Sequence, residues 1–165
     1  MDIEYWKGIL EALAKTGVLA LIVAIAGWVF VYKNSRALQK RSETWAIVKN
    51  TSDLLKEIES SARKFWLPSD DKFTNTFAYQ VEVTAYISEL ERWMLQLEKR
   101  IPDKSKLNDD YKTHITQIFR DATYNIETAP STPEMQRMRI THTVSRITKR
   151  VKDNIDNAYE LEFFR

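Results

Sequence analysis

The longest uncharged apolar run of the chain lies near its N-terminus. Residues 16–32 read TGVLALIVAIAGWVFVY and carry no charge. A transmembrane helix needs about 20 residues, so we expect it to extend upstream over Ile9, Leu10, Leu13 and Ala14. In one continuous helix the distance from Trp6 to Trp28 would be about 33 Å, which suits two aromatic belts. We therefore assign residues 1–34 to an N-terminal segment and one transmembrane helix.

Four helical stretches follow, each with apolar residues at steps of three and four. The first covers about 35–66 and continues the transmembrane helix, since no Gly or Pro intervenes before Pro68. The second covers about 70–100, with Ser69 or Asp70 as its cap, and ends before Pro102. The third runs from about 107 to 126. The last begins after a loop, with Thr132 as N-cap and Pro133 at the first helical position.

These stripes predict an all-α fold, in which the transmembrane helix continues into a cytoplasmic antiparallel helical bundle over residues 35–165. The five aromatic residues that we interpret as core, rather than as a ligand site, are Trp45, Trp66, Phe73, Phe77 and Trp93. The other expected core positions are Leu38, Val48, Leu55, Ile58, Ala62 and Phe65; Val81, Ile87, Leu90, Met94 and Leu97; Leu107, Tyr111, Ile115, Ile118, Ala122 and Ile126; and Ile140, Val144, Ile147, Val151, Ile155 and Ala158.

Composition narrows the possible chemistry. The 165 residues include three Gly, four Pro, two His and no Cys. The absence of Cys excludes disulfides, thiol catalysis and Cys-based zinc sites, and it fits a reducing compartment. Three glycines favour long helices, and no phosphate-binding G-x-x-x-x-G-K-[ST] loop is present. With two imidazoles and no Cys, the sequence offers few ligands for a metal ion, so we expect no metal and no cofactor.

Charges on either side of the apolar run predict its orientation. Lys33, Arg36, Lys40 and Arg41 follow the run before any acid occurs, and basic flanks stay in the cytoplasm. The N-terminus is then outside, and the bundle is cytoplasmic. A cleaved signal peptide is the alternative, but the first six residues hold two acids and no base, unlike the start of a signal peptide.

Small residues share one side of the transmembrane helix. They fall at steps of three, four and three, and we name this set the small-residue face: Gly17, Ala20, Ala24 and Gly27. Small residues let membrane helices approach closely and pack. A single helix cannot bury this face against itself, so we expect the partner to be another copy of the chain. The alternative is that Ala and Gly are simply common in membrane helices.

Basic residues are concentrated in the last helix. Residues 135–152 contain six Lys or Arg and no acid. We name as the basic face the set Arg139, Arg146, Lys149 and Arg150, which lies opposite the apolar stripe of the same helix. Such a surface suits a phosphate backbone, an anionic lipid surface or an acidic partner. The alternative is a solvated face that pairs with acids of a neighbouring helix or subunit.

An R-x4-H motif lies in the same segment, formed by Arg137 and His142. In HEPN ribonucleases, Arg steadies the phosphate and His moves a proton at near-neutral pH. Two features depart from that family. Met138 replaces the polar residue that usually follows the Arg, and the two side chains point about 140° apart on a helix. We therefore expect the chain not to be an enzyme.

Together, the single N-terminal transmembrane helix, the helical cytoplasmic domain, the lack of Cys and the late R-x4-H motif resemble the small transmembrane accessory proteins of type VI-B CRISPR systems. That resemblance covers the layout of the chain, and only Arg137 and His142 match the motif. It implies a HEPN-like bundle and a ring-shaped homo-oligomer, an octamer, forming a pore in the bacterial inner membrane. It also implies an indirect link to an RNA-guided RNase or to RNA.

The sequence therefore leaves three functional hypotheses. The first is a pore, or ion channel, that depolarises the inner membrane and enhances CRISPR-dependent antiphage defence. The second is a membrane-tethered HEPN-type RNase that uses Arg137 and His142. The third is a single-span scaffold that binds a cytoplasmic partner through the basic face.

Overall fold

The computed structural model describes residues 3–15, 17–69, 75–101, 107 and 110–164, and the regular structure in these ranges is helical. The elements are α1 (Ile3–Lys15), α2 (Val18–Trp66), α3 (Thr76–Arg100), α4 (Asp110–Thr123), a 3₁₀-helix (Ile126–Ser131) and α5 (Glu134–Phe163). The predicted all-α bundle is confirmed. The chain divides into two compact units, Met1–Ser42 and Glu43–Arg165.

Helix α2 runs for 49 residues from the apolar N-terminal segment into the bundle. The prediction that the apolar helix continues into the bundle is therefore confirmed. The predicted upstream extension is wrong, because Ile9, Leu10, Leu13 and Ala14 belong to the separate helix α1. Gly17 lies between the two helices with a φ of 71°. This is the left-handed conformation that commonly ends a helix, and it cannot belong to a continuous right-handed helix.

Helix α3 begins later than its apolar pattern predicts. Its N-cap is Asn75, whose side-chain oxygen accepts hydrogen bonds from the backbone N–H groups of Phe77 (2.9 Å) and Ala78 (3.4 Å). The alternative cap Ser69 lies in a turn before the helix, and Asp70 lies outside the described residues. The side-chain cap satisfies two N–H groups that have no partner inside the helix.

The start of α5 also differs from the expectation, by one residue. Pro133 is the N-cap, and the first helical residue is Glu134. The carbonyl of Pro133 accepts from the N–H of Arg137 at 3.1 Å. Thr132 does not cap α5, because its hydroxyl donates to the Thr128 carbonyl at 2.9 Å within the preceding 3₁₀ segment.

The core of the bundle combines one face each of α2, α3, α4 and α5. Predicted core positions of the third and fourth stretches are buried, from Leu107 to Ile126 and from Val144 to Ala158, with Ile140 partly buried. On α2, the buried side chains include Val48, Leu55, Ile58, Ala62, Phe65 and Trp66. Two hydrogen bonds join the helices at the edge of this core: Ser61 donates to Glu82 at 2.9 Å, and Ser145 donates to Glu59 at 2.8 Å.

Four predicted core positions are exposed instead, which corrects the sequence interpretation. Leu38 and Trp45 on α2 are 58% and 51% exposed, and Phe77 and Val81 on α3 are 73% and 52% exposed. Trp93 is partly buried against the core, whereas Phe73 lies outside the described residues.

On α3, the exposure of Phe77 and Val81 follows from helical geometry. The buried residues Tyr79, Val83, Ile87 and Leu90 follow one another at steps of three and four. Val81 and Ile87 are six apart, so the predicted stripe joined two different faces of one helix. At about 100° per residue, Phe77 points about 120° away from Val83. The helix therefore buries the face of Val83 and leaves Phe77 outside.

Candidate functional site

The exposed apolar part of α2 is the first candidate functional feature. Val18–Tyr32 carries no charge, and its side chains are exposed in the single chain. Among the described residues, α2 is the one helix that is long and apolar enough to cross a membrane, with a mean hydropathy of 1.7 over its best window. Lys33 and Arg36 follow directly, and their long side chains can reach the polar headgroups.

Only three of the four residues of the small-residue face lie on α2. Gly17 is outside α2, in the left-handed conformation described above, so it cannot extend the stripe. Ala20, Ala24 and Gly27 remain, at steps of four and three on one side of α2, and all three are exposed. A Cβ added at Gly27 would meet no heavy atom within 4 Å. Nothing within the described chain therefore covers this face.

Aromatic and basic side chains form a column at the other end of the apolar segment. The rings of Trp28 and Tyr32 stack with centroids 5.6 Å apart, and the Arg36 guanidinium lies 5.4 Å from the centre of the Tyr32 ring. The three residues are spaced by four, so they share one side of α2. Aromatic rings and cations in this order are typical of a helix leaving the hydrocarbon core for the headgroup region.

The basic face lies on α5, as the sequence predicts. Arg139, Arg146, Lys149 and Arg150 are exposed, while Val144, Ile147 and Val151 on the opposite side are buried. None of these four cations forms an ion pair with a described residue. The alternative interpretation, pairing with acids of a neighbouring helix, therefore finds no support within the described chain.

Lys152, which also lies on α5, differs from the residues of the basic face in its burial and in the acids near it. The pKa of the Asp53 carboxyl on α2 is held below its ordinary value, mainly by a hydrogen bond from Lys56. The charges of Lys49 and Lys152 add to this effect. Lys152 is half-buried, and its charge acts on Asp53 of α2 and on Asp156 of α5, whereas the residues of the basic face are exposed. The four exposed cations are thus the ones available to an external anionic group.

A shallow groove of about 300 Å³ adjoins the basic face at Arg139. Tyr124, Gln136, Ile140 and Thr143 line it, together with the carboxylate of Asp121. Asp121 accepts a hydrogen bond from Arg120 at 3.2 Å. An acid within the groove opposes phosphate binding there, so the exposed cations further along α5 are the better anion-binding surface.

The R-x4-H residues both lie on α5 but in different surroundings. Arg137 is half-buried, with its Nε enclosed, and His142 is exposed. They are five residues apart, so their side chains leave the helix about 140° from each other. The expectation that these two residues are not catalytic stays a prediction. No group of three His, Cys, Asp or Glu residues within the described ranges is arranged to hold a metal ion.

Sequence reasoning missed two features of these elements. One is the end of α1 at Gly17, for which the glycine itself and the sorted charges of α1 were the available signal. The other is that Trp66 of α2 and Tyr79 of α3 both donate hydrogen bonds to the backbone carbonyl of Ala122 in the last turn of α4, an arrangement that only the folded chain reveals. No protein-family model, no curated protein and no solved structure matches this chain.

Proposed function

We propose that this chain forms a homo-oligomeric membrane pore that enhances CRISPR-dependent antiphage defence by depolarising the bacterial inner membrane. The observation that carries the oligomer is the uncovered face of Ala20, Ala24 and Gly27 on the apolar part of α2. The defence role rests on the resemblance of the chain's layout to the type VI-B accessory proteins. Self-association and membrane conduction are the parts that biophysical measurement tests directly.

Packing between copies follows from the chemistry of the face. Lipid tails are as apolar as the side chains, so membrane helices associate through close packing rather than through the hydrophobic effect. Small residues at steps of four and three let two backbones approach along a full turn or more. The larger exposed side chains of the segment, such as Ile22 and Phe30, are left to face lipid or a lumen.

Repeated contacts of this kind close into a ring when the rotation between neighbours divides a full circle. Within Val18–Tyr32 no side chain is charged, so a lumen lined by these helices would be apolar. Apolar constrictions gate by excluding water and conduct when they widen and fill. Positive flanks after Tyr32 support a cytoplasmic bundle and an external N-terminus.

A second contact between copies is available on the bundle. Phe77, Val81 and Leu95 are exposed on one side of α3, and we name them the α3 stripe. Small residues Ala85 and Ser88 lie between them on the same side. Exposed apolar patches on a bundle mark protein contacts. A neighbouring copy covering this stripe would bury the side chains that the core of a single chain leaves out.

The experiment that tests the pore is the mass of the detergent-solubilised particle, measured by size exclusion with light scattering. The proposal expects a large discrete oligomer. Ala24→Leu should reduce its size, because it adds bulk to the small-residue face. Ala26→Leu makes the same change about 160° around the helix and should leave the oligomer intact. A strict monomer would overturn the pore, and equal effects of the two variants would overturn the small-residue face as the contact between copies.

Conduction requires its own measurement. Cells expressing the chain together with an activated RNA-guided RNase system should lose membrane potential, reported by a voltage-sensitive dye. Ala24→Leu should reduce this loss, while Ala26→Leu should not. An intact potential in cells that contain the assembled oligomer would reject depolarisation and leave only self-association.

A scaffold is the second candidate, and one observation favours it. The four cations of the basic face are exposed and form no ion pair within the described chain. An acidic cytoplasmic partner would complement them. This role is compatible with a single membrane helix and needs no lumen. A monomeric particle that still binds a polyanion through α5 would favour the scaffold over the pore.

A further inference from the structure

Helix α1 sorts its residues by polarity around its axis. Its four charged residues, Glu4, Lys7, Glu11 and Lys15, fall within a sector of about 80° when projected at about 100° per residue. Ile3, Tyr5, Trp6, Ile9 and Leu10 occupy an arc of about 160° on the other side. Such sorting is typical of a helix that lies between an apolar and an aqueous phase.

Four of the five side chains of the apolar arc are exposed, and Ile9 is partly buried. Ile3 is 75% exposed and Tyr5 is 68% exposed, while Trp6 and Leu10 are about half exposed. The Tyr5 and Trp6 rings contact each other edge to face, with centroids 6.2 Å apart. Aromatic residues of this type settle at the headgroup level of a bilayer, where one part of the ring is wet and the other is not.

Helix α2 does not need α1 to cross the membrane. From Val18 to Arg36 it provides 19 residues, a rise of about 28 Å, which approaches the hydrocarbon thickness of about 30 Å. Lys33 and Arg36 can extend to the headgroups at one end. At the other end, Gly17 terminates α1 with a φ of 71°, so α1 is a separate helix joined directly to the start of the membrane segment.

We propose that α1 is an interfacial helix that lies in the plane of the membrane, with Ile3, Trp6 and Leu10 in the lipid and its charged sector in water. This inference rests on the proposed membrane span of α2, to which α1 is directly connected. Its two acids and two bases cancel, so its attraction to the bilayer comes from apolar burial rather than from anionic lipid. The helix anchors the outer end of the span and places Tyr5 and Trp6 in the outer aromatic belt.

The test uses the absence of cysteine from the sequence. Single Cys variants at Ile3, Trp6 and Leu10, and at Glu4, Lys7 and Glu11, each accept one spin label in the full chain. The protein is reconstituted in phosphatidylcholine vesicles and in vesicles that also contain phosphatidylglycerol. Collisions with oxygen report lipid exposure, and collisions with a soluble nickel chelate report water exposure. A label at Val23 in α2 is the control for the membrane segment.

An interfacial helix predicts an alternating result. Labels at Ile3, Trp6 and Leu10 should be oxygen-accessible at one shallow depth, and labels at Glu4, Lys7 and Glu11 should be nickel-accessible. The pattern should be the same in both vesicle types. Depth that increases steadily from Ile3 to Leu10 would show a continuous transmembrane helix and overturn the proposal. Exclusion of both probes from the apolar arc would show protein packing, and would overturn it as well.

The control separates this inference from the proposed span. A Val23 label deep in the bilayer, with every α1 label in water, would reject the interfacial helix and keep the membrane segment. A Val23 label in water would reject the span and the interfacial helix together. Matched depths for Ile3 and Leu10 with a deep Val23 would support both.

Discussion

Trp66 and Tyr79 donate hydrogen bonds to the same backbone oxygen, the carbonyl of Ala122. The Trp66 Nε1 lies 3.1 Å from this oxygen, and the Tyr79 hydroxyl lies 3.0 Å from it. The donors come from α2 and α3, and the acceptor is in the last turn of α4, where carbonyls have no partner inside the helix. The Phe65 ring stacks on the Tyr79 ring, with centroids 3.9 Å apart, and holds it in place. Three helices are thus joined at one buried atom.

Removal of the Tyr79 hydroxyl should weaken this junction without breaking it. Tyr79→Phe keeps the ring stack and loses one hydrogen bond, so we expect the free energy of unfolding to fall by about 1 kcal/mol. Trp66 still satisfies the carbonyl, which limits the loss. Denaturant unfolding of the full chain in detergent measures it. Tyr86→Phe is the matched control: its hydroxyl bonds Glu82 at the surface, and the effect should stay within about 0.5 kcal/mol.

High pH should destabilise the fold through the same residue. Burial raises the pKa of the Tyr79 phenol above its ordinary value of 10.0; the neighbouring indole N–H of Trp66 opposes this shift, and the charge of Glu82 adds to it. The folded state therefore holds the proton longer than the unfolded state. The stability is fully present below pH about 10 and falls as pH rises beyond it, by up to about 1.4 kcal/mol per pH unit for this group.

The variant Tyr79→Phe isolates that contribution. Unfolding measured at a series of alkaline pH values should show a shallower decline for Tyr79→Phe than for the unaltered chain. Identical slopes would mean that Tyr79 ionises equally easily in both states and would contradict the assignment.

Charge reversal on α5 should change binding and leave the fold alone. Arg146 and Arg150 are exposed and have no ion-pair partner in the described chain, so Arg146→Glu/Arg150→Glu should change the unfolding free energy by less than about 0.5 kcal/mol. Retention on a heparin column should fall sharply, because the local positive potential is lost. Oligomer size should not change.

A control with the same net charge distinguishes local from global effects. Lys64→Glu/Lys99→Glu reverses two exposed cations outside α5. Equal loss of heparin retention in the two double variants would show that net charge, rather than the basic face, determines polyanion binding.

Serine substitutions at two apolar positions of α3 should have different effects, one on stability and the other on oligomer size. Val83 is fully buried, so Val83→Ser leaves a cavity and a buried hydroxyl and should cost about 2–4 kcal/mol of stability. Phe77 is 73% exposed, so Phe77→Ser should leave the stability of the bundle unchanged and reduce the size of the oligomer. Thermal unfolding and light scattering of both variants separate these outcomes. Equal destabilisation by the two substitutions would place Phe77 in the core.

Sequence patterns predicted the architecture better than they predicted individual faces. The steps of three and four from Tyr111 to Ala122 were correct because α4 is short and presents one apolar stripe to the core. Leu107 and Ile126 are also buried, but they lie outside α4, which is shorter than the predicted helix over about 107 to 126. On α3 the helix carries apolar residues on two sides, and periodicity alone cannot tell which side the fold buries. The boundary at Gly17 depends on one backbone angle, which apolar content does not report.

Some residues of the candidate site could be located from the sequence, and others could not. The basic face could be located from charge spacing, because surface cations need only a correct helix and a correct buried side. The hydrogen bonds to Ala122 could not, since they join residues 43 and 56 positions apart through packing of three helices. Long-range convergence of this kind leaves no periodic trace in the chain.

The separation of α1 from α2 depends on a left-handed backbone conformation at Gly17, which glycine adopts more readily than an L-residue with a side chain. A side chain there would have room, because an added Cβ meets no heavy atom within 4 Å, but an L-residue at a φ of 71° is strained by about 1 kcal/mol or more. A D-alanine would fit the same backbone without that strain. An L-alanine would favour right-handed geometry and draw the two helices toward one rod. A single methyl group of the wrong hand would thus oppose the backbone conformation that separates the end of α1 from the start of α2.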